Sequence, residues 1–331
     1  MDTHTGKHAI VIGAGVIGLS TARALLSAGF SVRIIADTPT QSTTSMIAPA
    51  MWHPYKVSPD ERMREWAHSS FAAYKELAEN PATGVTKNEI REYYGTPALE
   101  PWYASAFDVF RRLDADELPE GYADGFSMES FVIDTTVYMQ WLETSLINDG
   151  VSFERRTLES FEELLYTDAV VVNCTGLGAR LLAGDESVYP IRGQVVRVRS
   201  GYSAGNACVI DENGPRAVMY AVPRSGDVLL GGTADEHVWN TTPDDATTAD
   251  IVRKAQELVP ALGDATVIES LVGLRPARPA IRLERDALFP WLIHNYGHSG
   301  AGFTLAWGCA AEAVRLVKNM NLIGSSEPRT V

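Results

Sequence analysis

The chain has 331 residues, of which 45% are hydrophobic and 21% charged, which is ordinary for a globular protein and enough to bury a large core. Its net charge of −14 at pH 7 and pI of about 5.0 argue against binding to nucleic-acid phosphates or anionic membrane surfaces. The length predicts two domains or one large α/β unit.

The cysteines indicate no metal site or disulfide, and the two termini show no targeting signal. Cys174, Cys208 and Cys309 are scattered without a CxxC pair or metal-ligand spacing, so we expect three buried free thiols, no disulfide and no metal. The N-terminal MDTHTGKH lacks an apolar signal segment, and the C-terminal SSEPRTV is not a peroxisomal address. No run approaches the ~18 apolar residues of a membrane span. We therefore expect a cytoplasmic protein without a membrane or nucleic-acid partner.

The first motif, AIVIGAGVIG at residues 9–18, predicts a strand, a tight glycine turn and the start of a helix. Gly13 allows the turn, Gly15 lets the backbone approach phosphate oxygens, and Gly18 lets the helix pack close to the strand. A second apolar strand then ends at Asp37, where a carboxylate can hold a ribose hydroxyl. The alternative is a glycine turn without a ligand in an ordinary βαβ unit. Because a strand precedes the glycines and a helix, a second strand and an acid follow them, the motif predicts a dinucleotide site.

The order of elements after residue 37 predicts interleaved domains. Residues 90–134 are rich in tyrosine, tryptophan, glycine and proline and look like strands and loops outside the first unit. Helices are predicted at 63–77, from 134 or 135, at 247–259 and in the final segment beginning GHSGAGF, and strands at 169–172 and within 194–234. A parallel sheet visited several times, with an antiparallel domain beside it, fits this order.

Seven segments, spread in a fixed order over nearly the whole chain, resemble the signatures of one known family. They are VIGAGVIGLSTA, ADTPTQSTTS, APAMWHPY, VVNCTG, RGQ, VGLRPARPAIRLE and LIHNYGHSGAGFTLAWGCAAEA. The family is that of the FAD-dependent D-amino-acid oxidases, which includes the D-aspartate oxidases. The resemblance implies FAD, a homodimer and an α/β fold: a Rossmann-like FAD-binding domain with a parallel sheet, interleaved with an antiparallel β-rich substrate domain. We assign residues 1–58, 135–195 and 270–331 to the first domain and residues 59–134 and 196–269 to the second.

The segment GLRPARP contributes two arginines with different expected roles. A guanidinium fits a carboxylate with two parallel hydrogen bonds, and when buried it needs such an anion. The resemblance implies that Arg275 grips the substrate α-carboxylate, although the residue type alone also allows a structural ion pair. For Arg278 we expect the structural ion pair, with Glu284 or Asp286.

The expected catalytic group contains Arg275, His53 and two further residues, Tyr220 and Gly300. Tyr220 lies in an alternating strand, where it could simply pack in the core with its hydroxyl satisfied. The resemblance implies that this hydroxyl shares the substrate carboxylate with Arg275, and that the backbone carbonyl of Gly300 accepts from the substrate amine.

Three residues are candidates for contacting the substrate side chain or its surroundings. His53 stands where many mammalian members have glutamine, and we expect it either to face the substrate or flavin edge or to hydrogen-bond within its loop. Arg216 replaces a lid tyrosine of the mammalian enzymes. It could reach an acidic side chain, but a solvated turn residue is the favoured interpretation. Trp52 is the third candidate.

The remaining candidates would contact the cofactor. The resemblance implies five groups of cofactor-binding residues. The first forms the pyrophosphate turn and holds the ribose, the second offers hydroxyls to the phosphate and sugar, the third lines the flavin, and the fourth flanks the adenosine. The fifth is a second glycine turn whose N–H groups face the flavin pyrimidine. In that order, these residues are Gly13, Gly15, Val16, Ile17, Gly18 and Asp37; Thr43, Thr44 and Ser45; Ala50, Met51 and Trp52; Leu158 and Thr175; and Ser299, Gly300, Ala301, Gly302, Phe303 and Thr304.

The implied reaction is the oxidative deamination of D-amino acids to 2-oxo acids, ammonia and hydrogen peroxide. The Cα hydride passes to flavin N5 without a side-chain base, and O2 reoxidises the flavin. We expect broad use of neutral D-amino acids; the alternatives are a D-aspartate oxidase or a glycine- or sarcosine-type amine oxidase. A nicotinamide-dependent dehydrogenase would explain only the first 37 residues, and a non-catalytic nucleotide sensor is a third class.

Overall fold

The computed structural model describes residues 7–54, 61–165 and 167–320. The predictions made on the two termini, on the end of the APAMWHPY segment and on the domain boundary after residue 58 lie outside the described residues. Within them, no helix is long and apolar enough to cross a membrane. The three cysteines are free and buried, as predicted.

The described residues form fifteen β-strands and seven α-helices. The strands are β1 (His8–Ile12), β2 (Ser31–Ala36), β3 (Val85–Tyr94), β4 (Phe110–Arg112), β5 (Asp124–Ile133), β6 (Ser152–Arg155), β7 (Val170–Asn173), β8 (Tyr189–Arg199), β9 (Cys208–Asp211), β10 (Met219–Pro223), β11 (Val228–Gly231), β12 (Asp235–Glu236), β13 (Thr266–Ala277), β14 (Arg282–Arg285) and β15 (Leu292–Tyr296). The helices are α1 (Val16–Ser27), α2 (Thr44–Ile47), α3 (Glu61–Leu77), α4 (Thr135–Asn148), α5 (Ala179–Leu182), α6 (Asp245–Leu258) and α7 (Gly302–Lys318).

The first sheet has the strand order β14–β15–β7–β1–β2–β6 and is parallel except for the edge strand β14. Its inner strands β1 and β7 are short apolar runs, nearly all buried, because elements cover both faces of such a sheet. The carboxyl ends of β1, β2 and β7 meet at one edge, where a doubly wound sheet binds its ligand. The predicted Rossmann-like architecture is confirmed.

The predicted helices are confirmed with shifts of one or two residues at their ends. Helix α4 begins after Asp134, whose side chain accepts a hydrogen bond from the backbone N–H of Thr136 at 3.2 Å. Helix α3 buries the apolar stripe that predicted it, including Trp66 and Phe71, against α7.

The crossing of α3 and α7 is close enough to require glycine. A Cβ at Gly308 would lie 2.1 Å from the carbonyl oxygen of Trp66, and the N–H of Gly308 donates to Ser70 Oγ at 2.9 Å. Tyr74 extends the contact by donating to the carbonyl of Phe303 at 2.9 Å. These backbone contacts fix the start of α7 relative to the loop that carries His53.

The second sheet has nine strands in the order β12–β8–β11–β10–β9–β3–β5–β4, with β13 pairing β8. All its pairs are antiparallel except β3 with β9. Strands β8 and β13 pair from Tyr189 with Ala277 to Arg199 with Thr266. The expected domain boundaries after residues 195 and 269 therefore fall inside two strands of one sheet.

Candidate active site

A cavity of about 890 Å³ is lined by residues of both sheets. Its volume lies within the range of about 300–1,000 Å³ that is typical of small-molecule and cofactor sites. One end is formed by the glycine turn after β1. At the other end, the second sheet contributes Gly193, Val195, Ile210, Glu212, Val218, Tyr220, Gly273, Leu274 and Arg275.

Two glycines of the first turn lie where the backbone packs too closely for a side chain. Gly13 has φ of 110°, and a Cβ there would lie 2.5 Å from the carbonyl oxygen of Cys174. A Cβ at Gly18 would lie 2.0 Å from the carbonyl oxygen of Gly13. Gly18 does not itself line the cavity; it lets α1 start directly behind the turn. Gly13 and Gly15 line the cavity, with Val16 and Ile17.

The hydroxyl-rich segment before α2 faces the same turn. The backbone N–H of Val16 donates to Ser45 Oγ at 3.0 Å, and Thr44 donates to the carbonyl of Leu274 at 3.1 Å. Both hydroxyl residues line the cavity, as do Thr43 and Asp37, the latter directly after β2. This segment therefore joins the turn after β1 to strand β13 of the second sheet.

The far flank of the turn contains Leu158 and Thr175, as predicted. Thr175 donates to Asn173 Oδ1 at 2.7 Å, which holds it beside the carboxyl end of β7. Sequence reasoning missed Arg156 and Glu159, which line the same flank. They are polar residues in a loop, and no local pattern singles them out.

The second glycine turn brings Ser299, Gly300, Gly302 and Phe303 to the cavity wall. Ser299 has a φ of 51°, a conformation that few residues other than glycine adopt.

Two residues predicted for this turn are not among the described residues that line the cavity. Ala301 is fully buried as the N-cap of α7. Thr304 is buried and donates to the carbonyl of His53 at 2.7 Å. Their side chains are therefore packed inside the fold, and the contact of their backbone N–H groups with a flavin stays a prediction.

His298 is a cavity residue that sequence reasoning missed. It is 3% exposed, and burial lowers the pKa of its imidazole to about 3. Its Nε2 has no hydrogen-bond partner among the described residues. A buried polar atom on a cavity wall normally has a partner, which indicates that a bound group supplies one.

Arg275 and Tyr220 lie at the end of the cavity opposite the first glycine turn, and the side chain of each packs against a glycine. The Arg275 guanidinium rests on Gly193, where a Cβ would lie 2.5 Å from Nη1, and Nη1 donates to the carbonyl of Thr233 at 3.0 Å. The ring of Tyr220 covers Gly231, where a Cβ would lie 2.0 Å from Cζ.

The hydroxyl of Tyr220 reaches Gly232, next to Thr233. A Cβ at Gly232 would lie 2.7 Å from that hydroxyl. A guanidinium and a phenol therefore converge on one part of the wall, which suits a bound carboxylate. Sequence reasoning missed the glycines that make this possible, because their role depends on packing across strands.

Arg278 makes a structural ion pair, as expected, but with a different partner. Its Nε lies 2.9 Å from Asp185 Oδ2, while Glu284 and Asp286 face Arg282. Asp185 precedes β8, and no spacing in the sequence connects it to Arg278.

Two side-chain candidates, Trp52 and Arg216, are not among the described residues that line the cavity. Trp52 is fully buried and packs edge-on against Phe71 and Phe107, with ring centroids 4.9 and 5.2 Å away. It therefore does not form the flavin wall, although its neighbours Ala50 and Met51 do line the cavity.

Arg216 follows the turn after β9, and its side chain is only 20% exposed. Its guanidinium lies 5.6 Å from the ring centroid of Tyr122, and its Nε lies 3.5 Å from Glu257 Oε2. The favoured interpretation of a turn residue is therefore the correct one.

His53 does line the cavity, and it lies between two glutamates. Its Nε2 is 3.4 Å from Glu92 Oε2 and its Nδ1 is 3.5 Å from Glu212 Oε1. Tyr103 donates to Glu92 Oε2 at 2.6 Å and lies 3.3 Å from His53 Nε2. Sequence reasoning missed Glu92, Glu212 and Tyr103 because they lie on distant segments.

The charges in this cluster stabilise one another. Burial alone would lower the pKa of His53, but the carboxylates of Glu92 and Glu212 outweigh it and raise that pKa. Burial would raise the pKa of Glu92, but His53 and hydrogen bonds from Tyr103 and Tyr94 lower it. One side-chain atom from each of His53, Glu92 and Glu212 lies within 4.8 Å of the other two.

Comparison with known proteins agrees with this geometry. The family model described as FAD dependent oxidoreductase matches residues 8–316. A D-amino-acid oxidase of Rubrobacter xylanophilus is 44% identical over 93% of this chain and 95% of that protein. One of Streptomyces coelicolor is 41% identical over 96% and 98%. A D-aspartate oxidase of Homo sapiens is 34% identical over 93% of each chain.

Solved structures share the fold at lower sequence identity. Glycine oxidase from Geobacillus kaustophilus has a TM-score of 0.80 at 20% identity and covers 98% of this chain and 100% of its own. L-alpha-glycerophosphate oxidase from Mycoplasma pneumoniae with FAD bound has a TM-score of 0.74 at 18% identity, covering 97% and 98%. The chain therefore belongs to the family of FAD-dependent oxidoreductases that contains the D-amino-acid oxidases.

Proposed function

We propose that this FAD-dependent enzyme oxidises D-amino acids with O2 and yields a 2-oxo acid, ammonia and hydrogen peroxide. The observation that carries the proposal is the convergence of Arg275 and Tyr220 on a cavity whose other end is a dinucleotide-type glycine turn. Relatives named D-amino-acid oxidase at 44% and 41% identity, matched over nearly their whole length, support the same substrate class.

The residues at the glycine-rich end suit FAD. The turn at Gly15 and the N-terminus of α1 present backbone to the cavity where a pyrophosphate would lie, and Asp37 offers a carboxylate to a ribose. The unpartnered Nε2 of His298 suits a polar edge of a bound ring. Bound FAD supplies the two-electron acceptor for the substrate Cα–H bond.

The chain itself supplies binding and orientation. Arg275 binds the substrate α-carboxylate, its guanidinium held in place by Gly193 and by the carbonyl of Thr233. Tyr220 donates its hydroxyl to the same carboxylate, and the carbonyl of Gly300 accepts from the amine. Fixing both groups leaves the Cα–H bond a single orientation, which is the main contribution that a protein makes to such a reaction.

No side-chain base takes part. His53 is the nearest candidate, but its Nε2 and Nδ1 already lie 3.4 and 3.5 Å from the carboxylates of Glu92 and Glu212, so both ring nitrogens are engaged. The imino acid product hydrolyses in water without help from the chain.

Acidic D-amino acids are the weaker candidate substrates, despite the D-aspartate oxidase relative. Arg216, the cation predicted to reach an acidic side chain, is not among the described residues that line the cavity, whereas Glu212 is. A homodimer and a cytoplasmic location remain predictions, which sedimentation and cell fractionation test.

The test uses the purified FAD-loaded enzyme with an oxygen electrode and a peroxide assay. We expect oxygen uptake with D-Ala, D-Met and D-Phe, none with their L-enantiomers, and much slower turnover of glycine and sarcosine. Arg275→Ala should keep the yellow flavin spectrum but lose about 100-fold or more in kcat/KM, since a charge-assisted bidentate contact is removed. Faster turnover of glycine than of D-Ala, or unchanged kinetics in Arg275→Ala, would refute the proposal.

A further inference from the structure

The connection between β9 and β10 forms part of the wall at the substrate end of the cavity. It runs from residue 212 to residue 218, and its two end residues, Glu212 and Val218, line the cavity, as does Tyr220 two residues later. Residues 213–217, between these ends, are not among the described residues that line the cavity. The position of this part of the wall therefore depends on what holds the connection from outside the cavity.

One buried carboxylate holds the connection. Asp211 is the last residue of β9 and is fully buried. Its Oδ1 accepts a hydrogen bond from the backbone N–H of Gly214, and its Oδ2 accepts one from the backbone N–H of Arg216 at 2.9 Å. The hydroxyl of Tyr122, which lies between β4 and β5, donates to the same Oδ2 at 2.6 Å. Charge-assisted hydrogen bonds of this kind are among the strong ones in proteins, so this carboxylate fixes the middle of the connection to the end of β9.

The connection also packs closely against its surroundings. A Cβ at Gly214 would lie 2.7 Å from Asp211 Oδ1 and 2.8 Å from Cε1 of Tyr122. On the other side, Pro215 packs against Gly95, where a Cβ would lie 3.4 Å from the proline Cδ. Mobile segments are those with few buried contacts, so these contacts indicate an ordered connection.

A series of contacts leads from Asp211 to the hydroxyl of Tyr220. Met219 pairs with Asp211 across β9 and β10, and the carbonyl of Val218 accepts from the N–H of Gly232 at 2.9 Å. The hydroxyl of Tyr220 packs on Gly232, where a Cβ would lie 2.7 Å from it. A displacement of the connection therefore moves Val218, the backbone under the Tyr220 hydroxyl, and the hydroxyl itself.

We propose that Asp211 is a positioning residue for the reaction: its carboxylate keeps the β9–β10 connection in the conformation that places Val218 and Tyr220 against the substrate. The inference rests on the proposed function and adds to it a residue that does not line the cavity. A wall that is ordered before the substrate arrives lowers the cost of binding. If only a fraction of the enzyme has the ordered wall, the apparent dissociation constant rises in inverse proportion to that fraction.

The experiment compares Asp211→Asn with the wild type, both loaded with FAD, by steady-state oxygen consumption with D-Met. Asparagine has one acceptor oxygen where aspartate has two, so its NH2 group faces an N–H or O–H donor and releases one side of the connection. We expect KM to rise about 10-fold or more, the value of one hydrogen bond to a charged group. The kcat value should stay within about twofold, because bound substrate restores the ordered wall.

Limited proteolysis gives a second readout that does not depend on activity. Arg216 lies within the connection, and its backbone N–H is bonded to Asp211. We expect the wild type to resist trypsin at the bond between Arg216 and Ala217 under conditions in which Asp211→Asn is cleaved there, as shown by mass spectrometry of the new termini.

Asp264→Asn is the matched control, because it makes the same change to a carboxylate that also holds a backbone segment. Asp264 accepts from Ser200 Oγ at 2.6 Å and from the backbone N–H of Gly201 at 3.1 Å, and it is not among the described residues that line the cavity. This variant should keep the wild-type KM and the wild-type resistance to trypsin at Arg216.

The outcomes separate this inference from the proposed function. A folded, FAD-loaded Asp211→Asn enzyme with the wild-type KM overturns the positioning role and leaves the proposed function standing. A lower kcat at unchanged KM also overturns it, since a loss of folded enzyme has that effect. Cleavage of the wild type after Arg216 as fast as that of the variant would show that the carboxylate does not hold the connection.

A second variant covers the case in which Asp211→Asn fails to fold or to bind FAD. Tyr122→Phe removes one of the three hydrogen bonds to the carboxylate and keeps the ring, so it should raise KM in the same direction at nearly constant kcat. An unchanged KM in that variant then overturns the positioning role. Absence of turnover of every D-amino acid by the wild type refutes the proposed function itself, and with it the role of Asp211 in substrate binding.

Discussion

The guanidinium of Arg275 rests on the backbone of Gly193 in the neighbouring strand, so closely that a methyl group there would lie 2.5 Å from Nη1. Gly193→Ala should therefore push the guanidinium out of position. The strand backbone accepts alanine, and the tip of a long side chain can move, so the fold should survive. We expect kcat/KM for D-Ala to fall about 100-fold, as for a displacement of about 1 Å at a reacting site.

Steady-state oxygen consumption and a thermal melt of the same preparation check this. Gly226→Ala is the matched control: it changes an exposed glycine between β10 and β11, and among the described residues no atom lies within 4 Å of the added methyl. A Gly193→Ala enzyme with wild-type kinetics would mean that the contact with Gly193 does not position Arg275.

Tyr220→Phe should isolate the contribution of one hydroxyl. The ring packs over Gly231 and Gly232, so phenylalanine fits the same space and the fold should not change. A hydrogen bond to a charged group is worth about 1.5–3 kcal/mol, so we expect kcat/KM to fall roughly 10- to 100-fold. Tyr202→Phe, which removes a hydroxyl bonded to the carbonyl of Ala207 outside the cavity, is the control. An equal effect of both changes would contradict a role of Tyr220 in binding the carboxylate.

How far the sequence could predict this site depends on how local each feature is. The turn at Gly13 and the cap at Asp134 are formed by residues close together in the chain, so spacing alone predicted them. Trp52 could not be placed in the same way. A loop tryptophan can face a cavity or the core, and only the packing of Phe71 and Phe107 decides between them.

The cluster of His53, Glu92 and Glu212 could not be predicted from local spacing either. His53 was a candidate with two open interpretations, and both hold in part, since it lines the cavity and is also bonded within the fold. Its partners Glu92 and Glu212 come from β3 and the end of β9, which adjoin only because the second sheet pairs those strands in parallel. Strand pairing over such separations is a property of the whole fold and leaves no local pattern.

Asp37→Ala tests the ribose contact. The carboxylate lines the cavity directly after β2, and loss of one charge-assisted hydrogen bond should weaken FAD binding by about 1.5–3 kcal/mol. Titration of the apoprotein with FAD, followed by quenching of flavin fluorescence, gives the dissociation constants. Glu79→Ala, at an exposed position after α3, should leave the constant at its wild-type value. Equal constants for Asp37→Ala and the wild type would remove Asp37 from the cofactor site.

The ion pair of His53 and Glu92 should make stability depend on pH in a defined direction. The pKa of His53 is raised in the folded protein, so its contribution is complete below its unfolded value near 6.5 and is lost as the pH rises through the folded value. The pKa of Glu92 is lowered, so its contribution is present above its unfolded value near 4.5 and is lost as the pH falls through the folded value. The pair therefore stabilises the fold most between about pH 4.5 and 6.5.

Glu92→Gln should reduce the free energy of unfolding by about 3–5 kcal/mol within that window, since it leaves the His53 charge buried with less compensation. The difference from the wild type should shrink as the pH rises from 6.5 through the raised pKa of folded His53, because the unfolded chain loses this proton first. Denaturant titrations at saturating FAD between pH 5 and 9 measure this. Glu129→Gln breaks a half-exposed pair with Lys87 and should cost no more than about 1 kcal/mol, with no slope in that range. A difference for Glu92→Gln that stays constant from pH 6 to 9 would mean that His53 is not charged in the folded enzyme.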